Sequence, residues 1–417
     1  MKKHILTVLS SFFTLMYLSG CQGFSEASST EDIQPLTVSV NMDINVENLD
    51  SVKDLKIKLN NYSTGVQYER QLTEVGTVSV DNIIPGIYTI SISGNAYDTN
   101  GNEYYVNGNL VNKAIYKGLD AVNISISGLK VSPLVFTEIY YAGSPKNYFR
   151  DQFYEVYNNS SEVQYLDGLY FAQLYPLTAT RTLPVWNYDD GGKMCYGDRI
   201  WKFPGSGHDY PLQPGESAVL SQLAVNHQLS IYNPLSPVDG SHSEFEFNMD
   251  NPSFPDQPAI DMVHVYYKGK AEKGTLKQFL TSVFGSAFAI FKVPNGSDWN
   301  PLSIAWQNYE VGMASSPKAK IPNEWVLDAV ECVNGESYAD AKRIPGVLDA
   351  GVTWVGASYN GLGVSRKLVI QNGDTLRRED NTLIFQDTNN STDDFLRQVV
   401  PVMHRYNTGV PSWNTTY

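Results

Sequence analysis

The chain has little of what reactive chemistry needs. Its 417 residues hold three cysteines and six histidines. No Cys-x-x-Cys occurs, which argues against a redox or zinc-knuckle motif. His-Glu-x-x-His, Gly-x-Ser-x-Gly and Walker-type loops are also missing from the sequence. Positive charge is scarce: 30 Lys and Arg stand against 44 Asp and Glu, a formal charge of -14. Nucleic-acid affinity is dominated by phosphate neutralisation, so no nucleic acid is expected as a partner. The same charge opposes binding to anionic lipid. No apolar run reaches the ~20 residues that a bilayer crossing needs. These shortages point to a protein that is not an enzyme and needs no cofactor or metal.

What is present begins at the first residue. Lys2 and Lys3 precede an apolar run from Ile5 to Leu18, followed by Ser19-Gly20-Cys21. A basic start, a short apolar segment and small residues at a cut make a secretory signal, over residues 1–20. Leu18-Ser19-Gly20-Cys21 resembles the bacterial lipobox. The resemblance implies that Cys21 becomes the mature N-terminus and carries acyl chains, including palmitate. Stable anchoring takes more than one chain, which a triacylated cysteine supplies. Residues 21–35 are small and polar and read as a flexible tether. Gln22, in place of Asp, favours the outer membrane or cell surface by resemblance to the sorting rule of some diderm bacteria.

Outside the cytoplasm, leftover cysteines are available to pair. Cys195 and Cys332 form the one candidate disulfide, and two buried free thiols are the alternative.

Residues 36–130 are written in strand code. Leu36, Val38, Val40, Met42, Ile44 and Val46 alternate with polar residues, and so do Leu55, Ile57 and Leu59; Tyr88, Ile90 and Ile92; Val122, Ile124 and Ile126. Successive strand side chains face opposite ways, so each run has one apolar and one polar face. Pro85-Gly86 and Asn100-Gly101 supply turns. The fold class is therefore all-β, beginning with a small antiparallel sandwich. Ile83-Ile84-Pro85-Gly86-Ile87-Tyr88-Thr89-Ile90 resembles the transthyretin-like modules related to the carboxypeptidase regulatory domain.

A second domain is expected over residues 131–417. Val135 to Tyr141, Gln152 to Asn159 and Tyr165 to Phe171 read as strands. With Leu212-Gln213-Pro214-Gly215, Trp325 to Val330, Ser365-Arg366 and Asp394-Phe395, they resemble the lamin-tail domain, an immunoglobulin-like sandwich. The resemblance is interrupted near residues 172–211 and 221–320, which read as long insertions. The tandem of two β-sandwiches resembles an uncharacterised family of bacterial surface lipoproteins. One helix is expected over Thr275–Ala287, where Leu276, Phe279, Leu280, Val283 and Phe284 share a helical face.

Candidate ligand groups concentrate in the first insertion. Trp186, Tyr188, Tyr196, Trp201 and Tyr210 interleave with Asp189, Asp190 and Arg199. Aromatic bodies with polar tips suit sugars, flat ligands and protein partners alike, and loops on a rigid scaffold are where binding is placed. The opposing reading is a compact flap that buries its own aromatics. His208, His227 and His242 are scattered through the insertions with no metal-ligand spacing. Asp98 to Glu103 and Asp189-Asp190-Gly191-Gly192 lack the alternating acids of a calcium loop.

The expected function is a non-enzymatic binding or assembly lipoprotein, an accessory to a TonB-dependent uptake receptor. A glycan- or matrix-binding adhesin is the first rival. A hydrolase whose site is built from the insertions is the second.

Overall fold

The structure, a computed structural model, describes residues 34–417 except 63, 100–102, 131–132, 161, 372–373, 376, 378–380 and 417. Cys21, the leader, the Asn100-Gly101 turn and all but the last two residues of the tether lie outside the described residues.

Seven strands use the alternating code of the first region: β1 (Leu36–Asn45), β2 (Leu49–Asn61), β3 (Gln67–Leu72), β4 (Thr77–Ile83), β5 (Gly86–Asp98), β6 (Glu103–Ile115) and β7 (Val122–Lys130). Their order is β3-β2-β5-β6-β7-β1-β4. β1 and β7 run parallel, from Val40 opposite Val122 to Asn45 opposite Ser127, and the other neighbours are antiparallel. The sheet curls until its edges meet, where Arg70 Nη1 of β3 donates to the Ser79 carbonyl of β4 at 2.6 Å. Along β5 every second residue is buried from Tyr88 onward. Val40, Leu55, Ile57, Ile90, Ile92, Ile124 and Ile126 close one separate core.

The remaining strands are β8 (Leu134–Tyr140), β9 (Phe153–Asn158), β10 (Gln164–Tyr165), β11 (Tyr170–Leu174), β12 (Met194–Lys202), β13 (Pro211–Leu212), β14 (Ser217–Ser221), β15 (Phe245–Glu246), β16 (Ile260–Asp261), β17 (Val263–Tyr267), β18 (Ala287–Phe291), β19 (Gln307–Asn308), β20 (Lys318–Pro322), β21 (Val326–Val333), β22 (Thr353–Trp354), β23 (Gly363–Arg366), β24 (Ile370–Gln371), β25 (Asp374–Thr375) and β26 (Phe395–Val399). One sheet has the order β19-β20-β12-β11-β18-β21-β22, with β17 also on β12. The other has the order β16-β15-β14-β9-β8-β23-β26. Phe171, Trp201 and Phe288 of the first share a core with Phe136, Tyr154 and Phe245 of the second. This all-β sandwich fold matches the expected class.

Three expectations are corrected. No helix forms over Thr275–Ala287. From Phe279 burial alternates along an irregular segment instead: Phe279, Thr281 and Val283 are buried, Leu280 and Ser282 less so, and Phe284 is exposed. Gly274 and Gly285, both at positive φ, bound the segment, and a Cβ on Gly285 would strike the Cys332 carbonyl. The apolar spacing fitted a helix only because period two and period 3.6 share several positions.

The stretch near 172–211 is not only a loop. It delivers β12, an interior strand paired with β11, β17 and β20.

Cys195 and Cys332 do not pair; both are free and buried. They sit on β12 and β21, which β11 and β18 separate in the sheet. Three strand spacings at ~4.8 Å each exceed disulfide reach. The two thiols also belong to different cores.

The one α-helix among the described residues is Ser391–Asp394. None there is long and apolar enough to cross a membrane.

Candidate functional site

The eight predicted ligand residues divide among three places. Trp186, Tyr188, Asp189, Asp190 and Tyr196 stay together. Trp186 stacks on Tyr196 with centroids 3.6 Å apart, and Tyr175 meets Trp186 edge-on at 5.9 Å. The Tyr196 hydroxyl donates to Asp190, and Asn308 Nδ2 donates to that hydroxyl at 3.1 Å. Burial, then Asp190, hold the Tyr196 hydroxyl well above its ordinary pKa. Asp189 and Asp190 accept the Gly191 and Gly192 amides at 2.9 and 2.8 Å. Two turns therefore engage these carboxylates.

The segment also forms a short ribbon. Trp186 bridges Glu310 in antiparallel fashion, and Val311 N donates to Val185 O at 2.8 Å. Trp186 and Glu310 both turn inward to Tyr175, whose hydroxyl donates to Glu310. Val185 and Val311, one residue away on facing arms, take the opposite face. That face is open: Val185 is 67% exposed, Val311 57%, and their neighbours Leu183 and Met313 56% and 49%.

Arg199 and Trp201 lie two residues apart inside the sandwich. Trp201 is fully buried against Phe247, Phe279 and His264. Tyr210 lies elsewhere, against Phe245 and Trp413, whose indole donates to Pro211 O at 2.7 Å.

The three inserted histidines do not converge. His208 packs on Tyr165, and His242 bonds to the Thr416 carbonyl. His227 is buried between Tyr148 and the Leu223 carbonyl, and burial pushes its pKa down to about 4.

Three arrangements had no signal in sequence spacing. Ser217 Oγ lies 2.9 Å from His404 Nδ1, and His404 Nε2 lies 3.5 Å from Glu244. The trio has the composition of a nucleophile relay. Ser217 is wholly buried in β14, however, and also bonds to Thr408 at 2.8 Å, so no substrate reaches it. It fastens the C-terminal segment to the sheet. His404, Tyr406 and Asn407 there all have positive φ.

Glu246, Asp256 and Asp261 bring carboxylates within 4.8 Å of one another. Protein donors already hold them: Asn248 Nδ2 bonds to both aspartates, and Gln257 N and Ala224 N bond to Glu246.

The third is a cleft of about 570 Å³ between the two sandwiches. Lys56, Lys58 and Asn95 line one side, and Lys367, Asp387 and Asp393 the other. Lys58 and Asp393 approach to 3.7 Å across it.

No curated protein matches the chain. Residues 213–402 match a family described as "Protein of unknown function (DUF4876)". The chain is also similar to a crystal structure of a DUF4876 family protein from Bacteroides thetaiotaomicron VPI-5482. The two are 56% identical over 92% of this chain and 100% of that one, with a TM-score of 0.69. With that identity over nearly its full length, the chain belongs to the DUF4876 family.

Proposed function

We propose that this protein is a non-enzymatic binding lipoprotein of the outer membrane or cell surface, held by acylated Cys21 and acting through a protein partner. The partner we favour is a TonB-dependent uptake receptor. The lipobox and tether support the location. The Pro85-Gly86 motif and the strand motifs from Val135 onward support a transthyretin-like first sandwich and a lamin-tail-like second one.

The observation that carries the partner reading is the apolar face of the ribbon, Leu183, Val185, Val311 and Met313. Contiguous exposed apolar groups beside polar ones mark protein contacts. A glycan site would need a free aromatic platform. Trp186 has one face covered by Tyr196, which leaves Tyr188, 66% exposed, as the freer aromatic of that segment.

The test compares the protein with an L183S/V185S/V311S/M313S variant in crosslinking to outer-membrane extract. The wild type is expected to capture a β-barrel receptor, identified by mass spectrometry, that the variant loses. Equal capture of the receptor by both proteins would overturn the reading. So would capture of none alongside saccharide binding on a glycan array. Palmitate labelling that is lost in C21A tests the anchor separately.

A further inference from the structure

Three buried arginines lie in the second sandwich: Arg199, Arg343 and Arg366. Two have carboxylate partners. Arg343 Nε meets Glu331 at 2.8 Å, and Arg366 Nη2 meets Asp328 at 2.6 Å. Arg199 is 2% exposed and forms no ion pair among the described residues. Its nearest acid in sequence, Asp198, is taken by Lys318 at 2.5 Å. Asp250 is taken by Lys273 at 2.7 Å.

A guanidinium has five N–H donors. Arg199 uses Nη2 on the Lys273 carbonyl at 3.2 Å and Nη1 on the Met249 sulfur at 3.5 Å. A thioether is a weak acceptor. Tyr267 places its ring 3.8 Å from the guanidinium carbon and also hydrogen-bonds to Arg199, but it offers no negative charge. A buried cation without an anion is costly, and a fold that keeps one leaves room for a reason.

Around it are polar atoms with no partner. Trp201 Nε1 and Gln278 Nε2 are buried and unbonded, and both are donors. His264 Nε2 is also unbonded; its ring edge meets Trp201, with centroids 4.8 Å apart. Strand register brings these groups to one end of the sandwich. Arg199 opposes Tyr267 and Trp201 opposes His264 across the β12–β17 pair. Phe279 touches Trp201, and Gln278 precedes it on the irregular segment that packs over these groups.

We infer that Arg199, with the Trp201 and Gln278 donors beside it, forms a binding site for the carboxylate group of a small organic acid. The cation meets the charge, and the two orphaned N–H groups meet the remaining lone pairs. His264 Nε2 faces the same region as an acceptor, because its Nδ1 side is bonded to the Ala271 carbonyl at 2.8 Å. An acceptor there suits a hydroxyl next to the carboxylate.

Entry requires movement of the cover, residues 268–285. The adjacent cavity, lined by Met249, Gln278, Lys277 and Glu246 among others, has a volume of about 10 Å³, roughly one water. Lys268, Gly269, Gly274 and Gly285 in this cover all have positive φ and mark its turns. Its inner part is held by inserted side chains and not by a strand ladder. Gly274 passes close to Arg199, and a Cβ there would lie 3.9 Å from Nη2.

The test uses glycolate and bromoacetate as probes. Glycolate should raise the melting temperature of the wild type and leave that of R199M unchanged. Methionine keeps the length of the side chain and removes the unpaired charge, so R199M should fold. Q278L should bind glycolate about tenfold more weakly in calorimetry, the loss expected for one hydrogen bond to a charged group. Crystals soaked in bromoacetate should show bromine anomalous density beside Arg199. An equal glycolate effect on wild type and R199M would overturn the inference. Bromine density elsewhere, or binding only at crystal-soak concentrations, would also overturn it. Should R199M not fold, undiminished affinity in Q278L decides against the site.

Discussion

The Trp186 indole lies nearly parallel to the Tyr196 ring, 17° between planes and 3.6 Å between centroids. This contact fixes the ribbon to β12 and sets which face of the ribbon stays open. W186A should therefore destabilise the protein by about 1–2 kcal/mol, from the stacking and the buried area together. Urea unfolding measures it; an unchanged midpoint would mean that the stack does not hold the ribbon.

Arg366 ties three strands. Its Nε donates to the Phe136 carbonyl at 2.6 Å, its Nη2 meets Asp328 at 2.6 Å, and Asp328 accepts the Phe136 amide at 2.6 Å. Removing one partner leaves a buried charge uncompensated. R366A is expected to cost about 3–5 kcal/mol. The double variant R366M/D328L should cost less than the two single changes added together. Additive losses in guanidinium unfolding would show that the pair is not coupled.

The C-terminal clamp gives a pH dependence. Burial pushes Glu155 up to about 7, against an ordinary 4.5. Between those values the folded protein keeps a proton that the unfolded chain releases, so this contribution to stability falls as pH rises from about 4.5 to about 7. His404 acts in the same sense. Burial presses its pKa down, but Glu244 and Glu155 raise it overall, so its contribution is present at low pH and fades above its ordinary 6.5. E155Q should flatten the fall in unfolding free energy across that window. Parallel wild-type and E155Q profiles would refute the assignment.

The thiols should be inert while the fold holds. Burial pushes Cys195 up to about 12 and Cys332 far above its ordinary value. The thiolate is the reactive form. In a C21S protein, an aromatic disulfide reagent should label neither cysteine under native conditions and both in denaturant. Fast native labelling of either one would contradict the buried placement.

Much of the fold was readable from spacing. The alternation of Val38, Val40 and Met42, and of Tyr88, Ile90 and Ile92, places those residues in the core of the first sandwich. Ser365-Arg366 and Asp394-Phe395 stood out as motif residues. Their joint role did not, because the Arg366 cluster draws on Asp328 from a strand and Asp394 from the short helix, far apart in the chain. β12 was hidden by a bulge. Arg199 pairs with Gln173 but Gly197 pairs with Leu174, so Asp198 is an extra residue. Period two breaks there, and Cys195 and Ile200 share a core although five positions apart. The candidate residues were legible as a composition and not as a site. Trp186 and Tyr196 stayed together, whereas Trp201 and Tyr210 packed into the interior in different places.

The sequence by itself determined the strand character, because that follows from local alternation. The expected export signal is likewise read from contiguous residues alone. Only the tertiary structure decided which charges find partners. Asp328 reaches Arg366, Ser217 reaches His404, and Arg199 forms no ion pair among the described residues. Such pairings join residues far apart in the chain, and sheet order and register, not sequence spacing, bring them within hydrogen-bond distance.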